Sequence, residues 1–281
     1  MNKYYLEKLK ELKIMDDDFA RIVFKDERCA KTVLETLGVI DDYSDIRHYE
    51  TQYDIKHING KSLIYDVFVV TDESAIDIEF ENSIKNANPL RVRYYLSAMD
   101  THMSKSGVSY DNLPHIILVL ICSFDYYKES KPIYTIKRKV KELDSDYDDK
   151  SKILIVNGAY QGHDDIGKLV HDLKCTDPND MHNPVLRQRV SYLKDDTGGV
   201  KEMCKIWDEI RQIGKEEGIA EGQMKGKIEG KIEGKIEGEY NSNLKSLKNI
   251  MLKLNIDLKE AMNMLDISLE EYDRYASVLT K

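Results

Sequence analysis

The stretch that decides the fold is Ser62–Glu81, with the sequence SLIYDVFVVTDESAIDIEFE. It contains two apolar runs separated by Asp72–Ser74, which is a pattern that predicts a β-hairpin. Successive side chains of a strand point to opposite faces, so alternate residues of the second run share a face. The acids expected on one face of this strand are Asp77, Glu79 and Glu81. The sequence therefore predicts a hairpin that carries three carboxylates along one side.

A fourth acid, Asp66, lies in the first run of this hairpin. The run Leu63–Val70 is apolar enough to be buried on both faces, and a carboxylate in such a strand needs a partner. If the strands pair about the turn, facing residue numbers sum to about 146, so Asp66 is expected near Phe80 and beside Glu79 and Glu81. Acids gathered this closely repel each other unless a cation lies among them, and hard divalent cations prefer oxygen ligands. The hairpin thus predicts a metal site.

A plainer interpretation of the second strand stays open at this point. Asp77, Glu79 and Glu81 also fit the solvent-facing side of an amphipathic edge strand, because alternation is what any half-buried strand shows. Asp66 favours the metal site over this alternative.

Composition and charge describe an ordinary water-soluble protein. The chain has 281 residues, 41% of them hydrophobic and 33% charged, with a formal net charge of -9. This charge gives no overall basic surface for nucleic acid, so any such binding must come from a local patch or through a metal. The four cysteines have no CxxC spacing, which indicates reduced thiols and no structural zinc site. With no signal peptide and no long apolar run, we expect a cytoplasmic protein without a membrane span.

The order of predicted elements is helix, three strands, helix, strand. A helix follows Asp16–Asp18, a strand covers about residues 49–58 with Asn59 and Gly60 as its turn, and the hairpin comes next. Asn88 and Pro89 then begin a helix that Gly107 ends. The apolar run Ile116–Cys122 is typical of a central parallel strand, which a crossover helix must precede. The fold class expected is α/β, with an αβββαβ core and a mixed sheet.

Further segments follow this core. Strands are predicted at residues 133–137 and 152–156, and helices at 164–173, 183–193 and 200–213. From residue 214 to 239 glycine recurs at every fourth position, which we interpret as a marginal helix or, more in keeping with low complexity, a flexible spacer. Residues 240–281 return to an amphipathic helical pattern. The expected organisation is therefore a main domain over 1–213, a repeat spacer over 214–239 and a small helical tail over 240–281.

Several separate blocks of the chain resemble one family. They are MDDDFARIVFKD, GKSLIYD, IDIEFE, RVRYYLSAMD, KPIYTIKR, GKLVHDLKCTDPNDMH and VLRQRVSYLKDD, spread between Met15 and Arg211. Together with the element order, they resemble the PD-(D/E)XK nuclease family transposases, the Rpn-like recombination-promoting nucleases of bacteria. The resemblance implies a restriction-endonuclease-like core and a metal-dependent endonuclease that hydrolyses DNA phosphodiester bonds, linked to recombination or mobile elements.

The same resemblance implies roles for individual residues. Asp66 matches the motif aspartate and Glu79 the motif glutamate, both as ligands of Mg²⁺, for which Mn²⁺ substitutes. The Phe80 backbone carbonyl would add a third oxygen. Asp17, on the first helix of the core, is a candidate accessory carboxylate.

Glu81 departs from the family pattern. The resemblance implies a lysine or glutamine at this third catalytic position, and a glutamate cannot donate a charge-assisted hydrogen bond. Glu81 could act as a general base or join the metal ligands, or cleavage could be slow or lost. The alternative function is therefore a catalytically impaired nuclease fold that acts as a DNA-binding or protein-binding module.

Two arginines match the Arg-x-Arg-Tyr segment of the family. Arg91 and Arg93 are about 200° apart around a helix, so we expect only one of them to contact a phosphate. The expected partner is DNA, although the residues do not separate DNA from RNA. The C-terminal helices are compatible with either a homo-oligomer or DNA contact. Three histidines, His163, His171 and His182, fit no helical ligand spacing, which favours ordinary structural roles.

Overall fold

A six-stranded mixed sheet forms the centre of the fold in the computed structural model, which describes residues 3–41, 44–55, 63–104 and 109–279. The strands are β1 (Ile46–Ile55), β2 (Leu63–Thr71), β3 (Ser74–Glu81), β4 (His115–Cys122), β5 (Ile133–Ile136), β6 (Lys139–Val140), β7 (Ser145–Asp146) and β8 (Ser151–Asn157). The sheet order is β1-β2-β3-β4-β8-β5, and β6 pairs with β7 as a separate short ribbon. Strands β3, β4 and β8 run parallel, while β1, β2 and β5 pair in antiparallel fashion with their neighbours.

The helices of the described chain are α1 (Lys3–Glu11), α2 (Asp17–Val23), α3 (Glu27–Thr36), α4 (Pro89–Met103), α5 (Asp165–Lys174), α6 (Pro184–Asp195), α7 (Thr197–Leu254), α8 (Leu258–Met264) and α9 (Tyr272–Leu279). Up to β4, the succession of helix, three strands, helix and strand confirms the expected core. The proposed turn at Asn59 and Gly60 and the helix end at Gly107 lie outside the described residues. Helix α4 is described to its C-cap at Ser104.

The central hairpin closes through a two-residue turn. The Thr71 hydroxyl oxygen accepts hydrogen bonds from the N–H groups of Glu73 (3.3 Å) and Ser74 (3.0 Å), which fixes the chain between β2 and β3. Phe68 pairs with Asp77 and Val67 with Ile78, so facing residue numbers sum to 145. This register differs by one from the expected one and, continued by one residue, would place Asp66 opposite Glu79 instead of Phe80.

Helix α4 is the crossover that lets β4 lie parallel to β3. It begins with Asn88 as N-cap, whose side-chain oxygen accepts the Leu90 N–H (2.8 Å), and with Pro89 in its first turn. Its buried residues Leu96 and Met99 belong to one apolar cluster with residues of β4. The N-terminal part of the chain covers the opposite face of the sheet. Phe24, which directly follows α2, packs on Phe80 of β3, and their ring centroids are 5.1 Å apart. The acids of β3 therefore lie inside a layered core.

The chain separates into two compact units, residues 1–206 and residues 207–281. The second unit has an apolar cluster of its own, formed by Leu247, Leu258, Ala261, Met262 and Tyr275. The repeat over residues 214–239 lies within the continuous helix α7, which agrees with the helical alternative. No helix among the described residues is both long and apolar enough to cross a bilayer.

Candidate functional site

The three acids of β3 are buried. Asp77 is 0%, Glu79 4% and Glu81 6% exposed, and β3 lies between β2 and β4 inside the sheet. The alternative of a solvent-facing edge strand is therefore wrong. A buried acid must be neutral, paired or bound to a cation, so each of these side chains needs an explanation.

Asp66 and Glu79 meet where the pairing between β2 and β3 ends. The paired residues run from Val70 with Ala75 to Val67 with Ile78. Beyond them, the Asp66 N–H donates to Glu79 Oε1 (3.1 Å) and the Phe80 N–H donates to Asp66 Oδ2 (3.2 Å). Each carboxylate thus accepts a backbone N–H from the other strand, and the two acids lie side by side.

The Phe80 carbonyl faces the same gap. In an extended strand the N–H and C=O of one residue point to the same side. The Phe80 N–H is directed to Asp66 on β2, whereas the Glu81 carbonyl accepts the Ser123 N–H (3.0 Å) just beyond β4. The Phe80 carbonyl therefore points towards β2, as a third oxygen beside Asp66 and Glu79.

Arg91 is the cation that the structure places against these acids. Its guanidinium donates to Glu79 Oε2 (3.0 Å), Glu81 Oε2 (3.2 Å) and the Tyr95 hydroxyl (3.0 Å), and it lies over the Tyr95 ring. It contacts the Glu79 oxygen that does not face Asp66, so it does not fill the gap between Asp66 and Glu79. Arg93 is exposed and makes no ion pair with another described residue.

Glu81 is held by two partners. Its Oε2 accepts from Arg91, and its Oε1 accepts the Ser83 N–H (2.8 Å). Glu81 therefore helps to hold the guanidinium of Arg91 beside Glu79.

A chain of polar contacts from β1 to α2 was missed by the sequence reasoning. Gln52 donates to Asp66 Oδ1 (3.0 Å) and in turn accepts from Arg21 of α2. Gln52 has a φ of 56°, in the left-handed region that residues other than glycine seldom adopt. No motif in the sequence marks Gln52, although such backbone strain often accompanies functional sites.

Asp17 lies at the rim of this region. The Asn82 side-chain amide, directly after β3, donates to Asp17 Oδ1 (3.3 Å) and to the Met15 carbonyl (2.7 Å). The charge of Asp17 is also one cause of the raised pKa of Asp66. The exposed Asp17 thus lies near the paired carboxylates without contacting either of them.

Burial raises the pKa values of the clustered acids. Burial first, and the neighbouring Asp66 second, raise the pKa of Glu79 to about 8. The pKa of Asp66 is raised by burial, against the hydrogen bonds from Phe80 and Gln52. Asp77 is fully buried with no hydrogen-bond partner for either carboxylate oxygen, and its burial raises its pKa well above the ordinary value.

The donor set at the end of the hairpin fits a hard divalent cation. Asp66, Glu79 and the Phe80 carbonyl offer only oxygen atoms, as Mg²⁺ requires, and the acids exceed the positive charge of Arg91. The hairpin carboxylates do not form a group of three converging ligand atoms. Within the described ranges, the one such group of histidine, cysteine or acid ligand atoms is His171, Asp172 and His182.

The comparison with known families covers the segment that carries this site. Residues 32–157 match the family model described as PD-(D/E)XK nuclease family transposase. The match includes the hairpin, α4 and the parallel strands, whereas the similar blocks before residue 32 and after residue 157 lie outside it. No curated protein and no solved structure matches the chain. The resemblance indicated by the sequence motifs is thus confirmed over residues 32–157, which match the model of the PD-(D/E)XK nuclease family transposases.

Proposed function

We propose that the protein is a metal-dependent endonuclease that hydrolyses phosphodiester bonds of DNA at the end of the β2–β3 hairpin. The observation that supports this proposal most directly is the reciprocal pair of contacts between Asp66 and Glu79. Two carboxylates are held together where the strands part, and a backbone carbonyl faces the same gap. This arrangement lies in the segment that matches the nuclease family.

The residues that would hold Mg²⁺ are Asp66, Glu79 and the carbonyl of Phe80, and Mn²⁺ would use the same oxygens. When bound, the ion would neutralise charge on the scissile phosphate and lower the pKa of a coordinated water. Gln52 keeps the Asp66 carboxylate in place through the bond to Oδ1. Asp17 contributes negative charge from the rim and is proposed as an accessory acid.

Arg91 is the residue that we propose to contact the scissile phosphate. A guanidinium has five N–H donors, and three contacts to Glu79, Glu81 and Tyr95 leave others for a phosphate oxygen. Its side chain is 43% exposed, so a backbone phosphate can approach it. In this proposal Glu81 acts by orienting Arg91, which accounts for a glutamate where the family pattern has lysine or glutamine.

Plasmid nicking tests these assignments. We expect Mg²⁺-dependent nicking by the wild-type chain, with Mn²⁺ also active, and a rate lowered by about 10²–10³-fold in Asp66→Asn, Glu79→Gln and Arg91→Ala. Arg93→Ala is the matched control, since it removes an arginine from the same helix, and it should stay within a few-fold of wild type. Nicking that is unchanged in both Asp66→Asn and Glu79→Gln would remove this site from the mechanism. Parallel assays on RNA of the same sequence decide which nucleic acid is the substrate.

A second candidate function is a nuclease fold that binds DNA or a protein without cleaving. It is favoured by one observation, namely that Arg91 pairs with both Glu79 and Glu81 and so offsets part of their charge without a metal. Calorimetric titration with Mg²⁺ separates the two functions. A titration without heat at millimolar Mg²⁺, together with retained DNA binding, would support the binding module.

A further inference from the structure

Two histidines that are distant in sequence lie together at the junction of α5 and α6. His171 is in the last turn of α5, and His182 directly precedes Asn183, the N-cap of α6. Their ring centroids are 4.8 Å apart, with the ring planes inclined by 54°. The loop between the helices brings the two histidines together, which their spacing in the sequence does not predict.

A buried carboxylate fixes both histidines. Asp172 is 0% exposed and accepts the backbone N–H groups of His182 (2.8 Å) and Asn183 (2.6 Å). Its Oδ1 also lies 3.2 Å from Nδ1 of the His171 ring. When Nδ1 carries the proton, it donates to Asp172 and leaves Nε2 with a free lone pair. A carboxylate that orients an imidazole in this way is the usual neighbour of a histidine metal ligand.

We propose that His171 and His182 bind one divalent metal ion of the class that prefers imidazole, with Zn²⁺ as its representative. One ligand atom from each of His171, Asp172 and His182 can be chosen so that all lie within 4.8 Å of one another. Nitrogen ligands of a tetrahedral zinc ion are about 3.4 Å apart, given Zn–N bonds near 2.05 Å. Both imidazoles are exposed, so their side chains have room to turn towards a shared ion. Asp172 is the positioning residue.

A cavity beside the histidines leaves room for the remaining ligands. It has a volume of about 700 Å³, and its walls include His163, His171, Cys175 and His182. The Cys175 thiol donates to the Asp177 carbonyl (3.0 Å), so Cys175 is not counted among the ligands. A metal held by these histidines would lie beside this cavity, which would leave room for water or a small ligand to complete its coordination.

This site differs in chemistry from the end of the hairpin. Imidazole nitrogen suits Zn²⁺ and its neighbours in the transition series, whereas Mg²⁺ requires oxygen. The proposal does not depend on nuclease activity, because the hairpin acids contribute no ligand to it. The two sites can therefore be tested separately in one chain.

Calorimetric titration with ZnCl₂ tests the proposal on the full chain after dialysis against a chelator. The background variant Asp66→Asn/Glu79→Gln removes the hairpin carboxylates and should still bind one Zn²⁺ per chain at this site. In this background, His171→Asn and His182→Asn should each weaken binding at least about tenfold. His115→Asn, which removes an exposed histidine from β4, is the matched control and should leave affinity unchanged. Equal Zn²⁺ affinity in all four proteins, or absence of binding in the background variant, would overturn the proposal.

Cobalt substitution gives a second measurement, which reports the ligands of the bound ion and not only its affinity. In the background protein, Co²⁺ bound by two imidazoles should give a visible absorption band that Zn²⁺ displaces and that His182→Asn abolishes. Asp172→Asn should shift this band at saturating Co²⁺, because the group beside the His171 ring loses its negative charge and the imidazole becomes less basic, whereas a purely structural role would leave the band in place. A visible band that persists in His182→Asn would contradict the assignment.

Discussion

At the scale of single residues, Glu79 has two charged neighbours with opposite effects on its ionisation. Its Oε2 is paired with Arg91, while its Oε1 accepts a backbone N–H beside the carboxylate of Asp66. Burial and Asp66 oppose its ionisation more strongly than Arg91 favours it, so the pKa of Glu79 rises to about 8. Without a metal ion, the folded protein therefore keeps a proton on Glu79 at neutral pH.

This shift predicts a pH-dependent stability. An unfolded glutamate releases its proton near pH 4.3, whereas folded Glu79 retains it up to about pH 8. The folded state binds more protons in this window, so the free energy of unfolding falls as pH rises from about 4.5 to 8. Glu79→Gln should remove part of this fall, on the order of 1–3 kcal/mol between pH 5 and pH 8. Urea unfolding at pH 5, 6.5 and 8 in the presence of a chelator measures it.

The control for this prediction is Glu73→Gln, which neutralises an exposed glutamate in the turn of the same hairpin. Its pH dependence should follow that of the wild type. If the wild type and Glu79→Gln lose the same stability between pH 5 and pH 8, the proton is not held on Glu79. Millimolar Mg²⁺ should flatten the wild-type dependence, because an ion at this position stabilises the ionised carboxylate.

The residues of the site were predictable only in part. Strand alternation places Asp77, Glu79 and Glu81 on one face from the sequence alone, and the angle between Arg91 and Arg93 correctly indicates different surroundings. Neither pattern predicts the bonds from Arg91 to Glu79 and Glu81, because the approach of α4 to β3 depends on packing. Gln52 carries no signal at all, since its contact with Asp66 depends on a backbone conformation that its sequence neighbours do not reveal.

At the scale of elements, the least expected finding is the helix through the glycine repeat. Each glycine costs a helix about 1 kcal/mol relative to alanine, and this cost favoured a spacer. The repeat lies in α7 between segments with amphipathic pattern, and a helix that is already nucleated gains one hydrogen bond for each residue added. Local propensity therefore did not decide the outcome, whereas the strongly patterned strand β4 was predictable in both type and position.

Glycine substitutions in α7 should have opposite effects at two places. A Cβ at Gly230 or Gly234 meets no atom within 4 Å, so alanine there should stabilise the helix by up to about 1 kcal/mol each. A Cβ at Gly199, in the same helix, would lie 1.9 Å from the Tyr192 carbonyl oxygen. Gly199→Ala should therefore lower the melting temperature, although it gains the same helix propensity as alanine at position 230 or 234.

Thermal unfolding followed by circular dichroism separates these effects. Gly230→Ala/Gly234→Ala should raise the helical signal or its midpoint, and Gly199→Ala should lower the midpoint. A double variant that melts earlier than the wild type would mean that the glycine positions of the repeat are closely packed in solution. A second copy of the chain is the partner to test first in that case, by light scattering.

At the scale of the whole molecule, the formal net charge of -9 opposes the approach of a polyanion. The proposed DNA contact therefore has to be local, and it depends on whether the acids of the hairpin are neutralised. Arg91 neutralises Glu79 and Glu81 in part, and the proposed ion would complete this at Asp66. We therefore expect Mg²⁺ to strengthen DNA binding as well as to support cleavage.

This argument predicts how three charge-neutralising substitutions change DNA binding. In a chelator at pH 9, where no hydrolysis occurs and Glu79 is above its pKa of about 8, Asp66→Asn/Glu79→Gln/Glu81→Gln should bind a labelled duplex about tenfold more tightly than the wild type, because the removed charges lie beside the phosphate. Mg²⁺ should strengthen wild-type binding and leave that of the triple variant unchanged. The matched control is Glu229→Gln/Glu233→Gln/Glu237→Gln, which removes the same formal charge from exposed positions of α7. If both triple variants gain affinity equally in fluorescence anisotropy, the effect is one of net charge, and the hairpin is not where DNA binds.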